Sequence, residues 1–387
     1  MYRSMIRIID RISASGRMRS LSRPAFVRAF VRYVQDLENV RSVSRAVAGK
    51  KANLRTIEEF LVGHAARLRA PLVLISEVQR SGGTLLSQLL DGHPDIAAHP
   101  HEIKIGHPTD EDWPPIDPAL SADQNFSILF DSKITELVRA GYSKGELDQN
   151  PGRHPFFYVP RLQYAIFRYL FASEPPVNTR DILDHFLTGY FNAWLNYQGD
   201  LKAKRWITAF APCLANHETN VAAFFDSYPD GRIVQVLRDP ATWYASAKQH
   251  RKSAWSRKNI GGFLDMWCLS AKAMLRNKSC YPDKVVIVRF EDLVGDTSST
   301  MRAVARELDI AFHPILLKPT FNGWPVRANS SFAVEASGVL NETLQRQKTL
   351  TADERTLIER RCRAMYDHTS AASLRPTEIP LRAGVVA

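Results

Sequence analysis

Short apolar runs rich in β-branched residues recur along the chain from residue 72 onward, and helical patterns separate them. Runs of this length are typical of buried strands in a parallel sheet. The strands predicted in this way cover residues 72–78, 95–98, 206–210, 233–237 and 285–290. Helices are predicted over 84–91, around 214–227, from 240 onward and over 297–309. This alternation favours a three-layer α/β/α fold, in which helices cover both faces of a central parallel sheet.

The first strand leads directly into a glycine turn and then into a helix. The turn reads Gln-Arg-Ser-Gly-Gly-Thr over residues 79–84, and Gly92 and Pro94 end the helix that follows. A strand, a glycine turn and a helix start point backbone N–H groups at a phosphate, and Arg80 adds a cation. The loop of nucleotide triphosphatases differs, because it carries Lys-Ser/Thr after its glycines.

A second candidate for anion binding follows the strand at 233–237. Arg238 stands at the carboxyl end of that strand, Asp239-Pro240 begins a helix, and Ser246 lies two turns into it. The carboxyl ends of parallel strands are where α/β sheets bind ligands. An arginine and a serine hydroxyl in this position suit a second phosphate.

Together these segments resemble the sulfotransferases that use 3′-phosphoadenosine 5′-phosphosulfate (PAPS). Two further segments extend the resemblance: 281–293, which ends in Arg-Phe-Glu-Asp-Leu with Phe290 in place of tyrosine, and the Gly/Pro-containing segment 323–332. The resemblance implies a P-loop-like nucleotide-binding fold with a helical insertion, PAPS as co-substrate and no metal. It also implies a set of nucleotide-binding residues: Arg80, Ser81, Gly82, Gly83, Thr84 and Leu85 at the 5′-phosphosulfate, Arg238 and Ser246 at the 3′-phosphate, and Trp324, Arg327 and Asn329 in a closing loop.

Family members place a His or Glu general base after the second strand, which we expect to neighbour the first. Here that position holds Glu102, the first candidate, and His101, the second. Either group can accept a proton from a hydroxyl near neutral pH. Many relatives also carry a lysine after the third strand, where this chain has Phe210. We therefore expect Lys104 or Arg80 to supply that positive charge in catalysis.

The chain divides into three predicted regions. Residues 1–65 form a basic helical N-terminal arm, 66–335 the sulfotransferase domain, and 336–387 a C-terminal helix and tail. Within the domain, residues 105–205 form a helical insertion on the acceptor side. The second half of this insertion is rich in aromatic residues, most of which are expected to be core, while some could line the acceptor pocket.

Charge is concentrated at the N-terminus. Residues 1–55 hold 13 Lys and Arg against 3 Asp and Glu, so they carry nearly all of the net charge of +11. The arm either packs on the domain or contacts an anionic membrane surface peripherally. No nucleic-acid module accompanies the charge, so no nucleic-acid partner is expected. No run suits a transmembrane helix and no signal peptide is evident, and the four scattered cysteines suggest reduced thiols. A cytoplasmic protein, peripheral to the membrane at most, is expected.

The sequence leaves the acceptor and two alternative functions open. The leading hypothesis is transfer of a sulfuryl group to a hydroxyl of a carbohydrate, a lipid or a small molecule. A catalytically silent adenosine-phosphate-binding or membrane-docking protein is the main alternative, because Phe210 replaces the usual lysine. A nucleotide kinase is disfavoured by the missing Lys-Ser/Thr.

Overall fold

The computed structural model describes residues 54–103, 112–131, 134, 137–138, 142, 156–249, 259–326 and 341–376. Most of the predicted N-terminal arm lies outside these residues, as do three predicted site residues, Lys104, Arg327 and Asn329.

The described part of the chain alternates strands and helices, as the hydrophobic pattern predicts. The β-strands are β1 (Leu72–Ile75), β2 (Ile96–Glu102), β3 (Trp206–Phe210), β4 (Arg232–Leu237), β5 (Val285–Arg289), β6 (Thr320–Phe321) and β7 (Trp324–Pro325). The α-helices are α1 (Leu54–Gly63), α2 (Gly83–Leu90), α3 (Ala122–Leu129), α4 (Pro160–Ser173), α5 (Thr179–Ala193), α6 (Glu218–Ser227), α7 (Pro240–Lys248), α8 (Ile260–Cys280), α9 (Phe290–Gly295), α10 (Thr297–Glu307) and α11 (Ala352–Ala371). Four 3₁₀ segments cover Leu201–Ala203, Leu214–Asn216, Pro314–Leu317 and Asn341–Thr349.

Five strands form one parallel sheet in the order β2-β3-β1-β4-β5. After β1 the chain forms β2 and β3 on one side of that strand and then β4 and β5 on its other side. The strand order therefore reverses around β1, and the crevice at its carboxyl end is the place where α/β sheets bind ligands. The loops after β1 and β4 meet there, because these two strands are hydrogen-bonded neighbours.

Two expectations about the sheet were wrong. The second strand does not neighbour the first, because β3 lies between them. The predicted strand 72–78 pairs only as far as Ile75. From Glu77 onward the backbone bonds to other parts of the chain: the Glu77 carbonyl accepts a hydrogen bond from the Cys213 N–H, and the Val78 N–H donates to the Ser270 hydroxyl on α8.

Alternation of side chains along the strands produces two cores. On one face Leu72 and Leu74 of β1 pack in a cluster with α5 and α6, and on the other Val73 and Ile75 pack with α2 and α10. A third cluster, with Trp267 at its centre, joins α7, α8 and α11. The three layers predicted from the sequence are therefore present.

The described part of the insertion is helical, as predicted, and most of its aromatic side chains are core. The buried ones are Tyr142, Phe156, Tyr158, Phe167, Phe186, Tyr190, Phe191 and Trp194. Phe157 and Tyr169 are exposed instead. The predicted helix at 214–227 is interrupted, because a 3₁₀ turn at Leu214–Asn216 precedes α6.

No helix among the described residues is long and apolar enough to cross a membrane.

Candidate active site

The backbone of the loop after β1 adopts conformations that are unfavourable for most residue types. Arg80 and Gly82 both have positive φ, at 75° and 122°. A Cβ atom on Gly82 would lie 2.5 Å from the Phe290 ring, and one on Gly83 would lie 2.4 Å from the Phe210 ring. The two glycines therefore let the loop pass between two aromatic side chains, with the N-terminus of α2 following at once.

Helices α7 and α8 support this loop from one side. The Trp243 indole N–H donates to the Gln79 carbonyl over 2.9 Å, and the Ser270 hydroxyl accepts from the Val78 N–H over 3.1 Å. Ser81 and Leu85 are buried, whereas Arg80, Gly82 and Thr84 are partly exposed. Because the Leu85 side chain packs in the core, this residue can offer a ligand only its backbone.

Arg238 brings the two predicted anion-binding segments together. Its guanidinium donates to the Arg80 carbonyl over 2.8 Å and to the Thr242 hydroxyl over 3.3 Å. The same guanidinium lies 4.2 Å from the centre of the Phe290 ring, and the residue is 3% exposed. The arginine after β4 therefore holds the loop after β1, at the crevice where the sheet order reverses.

Ser246 lies on the buried face of α7, as the sequence predicts for a residue two turns into that helix. Its side chain is 1% exposed, and its hydroxyl has no hydrogen-bond partner among the described residues. Buried hydroxyls are nearly always hydrogen-bonded, so one without a partner fits a site for a bound group.

The Arg-Phe-Glu-Asp-Leu segment supports both anion-binding segments. The Phe290 ring packs against Gly82 and Arg238, as described above. The Glu291 carboxylate accepts a hydrogen bond from the Asp239 N–H over 2.9 Å, while Asp239 caps α7 through the N–H groups of Ala241 and Thr242. Burial raises the pKa of Glu291, and the hydrogen bond that its carboxylate accepts from the Asp239 N–H opposes that rise.

A cleft beside α2 is lined by both candidate bases. Thr84 and Ser87 line it from the helix, His101 and Glu102 from the end of β2, and Phe210 from β3. The Glu102 carboxylate is close enough to Arg80 to raise the pKa of that guanidinium against the stronger lowering by burial. The structure therefore places the candidate bases next to the loop at residues 79–84, called the phosphate loop after its predicted role, even though β2 does not adjoin β1.

His101 has a carboxylate neighbour that the sequence did not identify. Its Nε2 lies 3.7 Å from Asp131 Oδ2. The His99 ring packs on His101 and hydrogen-bonds its carbonyl oxygen over 2.9 Å. Burial, reinforced by His101, lowers the pKa of His99 well below its usual value, which disfavours the protonated ring. No sequence motif marks Asp131, since it lies in the insertion far from β2.

Glu77 is a second residue that the sequence analysis missed. It is fully buried beneath the phosphate loop, where its Oε1 accepts the Gly83 N–H over 3.0 Å. Its Oε2 has no hydrogen-bond partner among the residues that the structure describes. Burial raises the pKa of this carboxyl well above 4.5, and the nearby Glu102 raises it further. A carboxylate inside an otherwise apolar strand pattern was the signal that could have revealed it.

The raised pKa of Glu77 predicts that the stability of the fold depends on pH. Because its pKa is raised in the folded state, the native protein binds this proton more tightly than the unfolded chain does. Stability is therefore lost as pH rises from the unfolded pKa towards the folded one. We expect Glu77→Gln to reduce the fall in free energy of unfolding between about pH 5 and about pH 8. Urea unfolding of both proteins at the two pH values measures this; an identical fall in both would show that Glu77 does not titrate in this way.

The hairpin formed by β6 and β7 lies at the opposite end of α2 from the phosphate loop. Asp91, just after α2, accepts hydrogen bonds from the Thr320 hydroxyl and the Gly323 N–H, both at 2.8 Å. Trp324 follows in β7, so the described residues do not bring it to the loop at 79–84. Phe321 and Thr320 instead line the cleft.

Histidines and acidic residues near the cleft do not form a metal site among the described residues, where no cluster of three or more potential ligands is found.

Residues 71–314 match the model of the Sulfotransferase family. The chain belongs to the sulfotransferase family. The match begins at β1 and ends beyond α10, so it includes both predicted anion-binding segments and the two candidate bases.

Solved structures that resemble this sulfotransferase are distant. A sulfotransferase domain from the curacin biosynthetic pathway is 15% identical, with 76% of this chain and 98% of that one covered and a TM-score of 0.42. The sulfotransferase from Alicyclobacillus acidocaldarius is 13% identical, with coverages of 79% and 94% and a TM-score of 0.37. Mouse sulfotransferase SULT7A1 complexed with PAP is 12% identical, with coverages of 82% and 93% and a TM-score of 0.34. No curated protein matches the chain in sequence.

Proposed function

We propose that this sulfotransferase transfers a sulfuryl group from PAPS to a hydroxyl group of an acceptor. One observation carries the proposal: the phosphate loop and the Arg238–Ser246 segment meet at the carboxyl ends of the adjacent strands β1 and β4. Two anion-binding elements side by side suit a nucleotide with phosphates at two separate positions. In PAPS these are the 5′-phosphosulfate and the 3′-phosphate.

The two elements differ in the donors that they offer. The loop at 79–84 offers backbone N–H groups at the start of α2 together with Arg80, which suits the 5′-phosphosulfate. Arg238 and the unpartnered Ser246 hydroxyl suit the 3′-phosphate. A nucleoside triphosphate would need a lysine and a hydroxyl after the glycines, but Leu85 and Leu86 follow Thr84 here.

Sulfuryl transfer needs a base on one side of sulfur and a positive charge on the other. As the acceptor oxygen forms its bond to sulfur, the bond from sulfur to the phosphate oxygen breaks and the acceptor proton passes to the base. Glu102, or His101 with Asp131 behind it, is placed to take that proton from an acceptor in the cleft. Arg80, next to Glu102, stabilises the charge that develops on the departing phosphate.

The hydroxyl of Ser246 provides a test of the 3′-phosphate site. Ser246→Ala is expected to weaken binding of adenosine 3′,5′-bisphosphate by about 1.5–3 kcal/mol, the usual range for a hydrogen bond to a charged group. The free energy of unfolding of the unliganded protein should not fall, because the hydroxyl has no partner to lose among the described residues. Calorimetric titration and urea unfolding measure the two quantities. Unchanged affinity would place the 3′-phosphate elsewhere.

Transfer itself is tested with PAPS and a panel of carbohydrate, lipid and small-molecule hydroxyl acceptors. The readout is release of adenosine 3′,5′-bisphosphate that depends on the acceptor. We expect release with at least one class, and loss of that release in a Glu102→Gln, His101→Ala double variant. Release that persists undiminished in the double variant would mean that the proposed base does not act in this cleft.

Phe210 supports a second candidate function, nucleotide binding without transfer. The ring fills the space beside Gly83 at the carboxyl end of β3, where many relatives are expected to carry lysine. If the protein binds nucleotide but transfers nothing, Phe210→Lys is the direct check. Recovery of transfer in that variant would show that the phenylalanine at position 210 accounts for the lack of transfer.

A further inference from the structure

Two cysteines meet where the C-terminal helix packs on α8. The sulfur atoms of Cys268 on α8 and Cys362 on α11 are 3.7 Å apart. Cys362 is fully buried, whereas Cys268 is partly exposed to solvent. The two residues are 94 positions apart in the sequence, so the fold, not local chain geometry, brings them together.

The surroundings of this pair favour the thiolate form of Cys268, the partly exposed cysteine. The hydrogen bond with Cys362 lowers the pKa of Cys268, and the charges of Arg361 and Lys272 lower it further, against burial and Asp265. The same hydrogen bond raises the pKa of Cys362. A thiolate is the reactive form of cysteine, and a resolving thiol beside it turns oxidation towards a disulfide.

We propose that Cys268 and Cys362 form a peroxide-reactive pair whose disulfide tethers α11 to α8. The Cys268 thiolate attacks one oxygen of hydrogen peroxide, the O–O bond breaks, and Cys268 becomes a sulfenic acid while hydroxide leaves. The Cys362 sulfur then attacks the Cys268 sulfur, the S–O bond breaks, and its proton leaves with the oxygen as water. Two thiols are oxidised by two electrons, and one peroxide is reduced to two waters.

The tether joins two helices that both support Arg238. From α8, the Trp267 indole donates to the Arg238 carbonyl over 3.0 Å. From α11, Tyr366 hydrogen-bonds Glu291, the residue that accepts from the Asp239 N–H next to Arg238. The disulfide therefore fixes the support of the second anion-binding segment, whether or not the proposed transfer reaction is correct.

The other two cysteines provide internal controls. Cys280 is exposed at the end of α8 and Cys213 is buried near the phosphate loop, where its thiol hydrogen-bonds the Gln79 side chain over 3.2 Å. Neither shares the arrangement of two sulfurs in contact with basic side chains nearby. A reaction that depended on exposure alone would select Cys280 first.

The test treats the full-length reduced protein with a small excess of hydrogen peroxide. Thiols are then counted after denaturation, and disulfides are mapped by mass spectrometry of unreduced peptides. We expect two of the four thiols to be lost, a single intramolecular Cys268–Cys362 disulfide, and a higher Tm that dithiothreitol reverses. Cys280→Ser should lose two thiols in the same way, and Cys362→Ser should lose the disulfide and accumulate oxidised Cys268.

Mapping in the unmodified protein keeps the proposal falsifiable even if a Cys362 variant does not fold. Retention of all four thiols, a disulfide to Cys280 or Cys213, or a disulfide between two molecules would each overturn it. So would conversion of Cys268 to a sulfinic acid with Cys362 still reduced, because the pair would then not act together.

Discussion

Glu102→Gln is expected to lower turnover by roughly 10²-fold or more and to leave nucleotide affinity unchanged. The amide keeps the size of the carboxylate but cannot take a proton at neutral pH, and removal of a general base costs about 10²–10⁴-fold in rate. Glu102 lines the cleft beside Thr84 and the phosphate loop, so its side chain meets the acceptor side of the proposed nucleotide site. Steady-state rates and calorimetric titration with adenosine 3′,5′-bisphosphate separate the two effects.

His101 provides the competing assignment and therefore the control. If His101→Ala loses turnover while Glu102→Gln keeps it, the histidine is the base and Glu102 is not. Asp131→Asn then distinguishes the roles further, because the carboxylate 3.7 Å from His101 Nε2 stabilises the protonated ring. With His101 as the base, Asp131→Asn should shift the pH profile of kcat; with Glu102 as the base, it should leave that profile in place.

Arg238→Ala is expected to weaken binding of adenosine 3′,5′-bisphosphate by about 1.5–3 kcal/mol, or about 10- to 150-fold in Kd. The variant removes a buried guanidinium that both suits the 3′-phosphate and holds the Arg80 carbonyl. The loss should therefore be at least as large as that from Arg80→Ala, which removes only a side chain at the other phosphate.

A matched control for Arg238 lies on the same strand. Arg232 begins β4 at the opposite end of the sheet and hydrogen-bonds the carbonyls of Asp230 and Gly231. Arg232→Ala should leave nucleotide affinity unchanged. Because Arg238 is buried, Tm and circular dichroism of each variant must show a folded protein. Equal affinities for Arg238→Ala and the unmodified protein would remove Arg238 from the site.

The sheet could be predicted from the sequence wherever a strand is buried on both faces and mostly apolar. β3 and β4 were located to within one residue, because every side chain from Trp206 to Phe210 and from Ile233 to Leu237 is buried. The prediction for β1 was too long, because Ser76, Glu77 and Val78 are buried without belonging to the ladder. Burial alone does not show which backbone groups pair.

Strand order and long-range partners were harder to predict than the strands themselves. Local patterns predict a strand at residues 95–98, which the structure extends to Glu102, but the position of β3 between β1 and β2 depends on packing across the whole domain. Asp131 and Glu77 were missed for related reasons. The first reaches His101 from a distant part of the chain, and the second is recognisable only once the phosphate loop folds over it.

Calorimetric titration of the full chain with adenosine 3′,5′-bisphosphate shows whether the two predicted anion-binding segments hold one nucleotide between them. We expect saturable binding of one nucleotide that needs no divalent cation, and much weaker binding of adenosine 5′-monophosphate, which lacks the phosphate assigned to Arg238 and Ser246. Equal affinity for the two nucleotides, or binding of Mg·ATP in preference to both, would contradict this expectation.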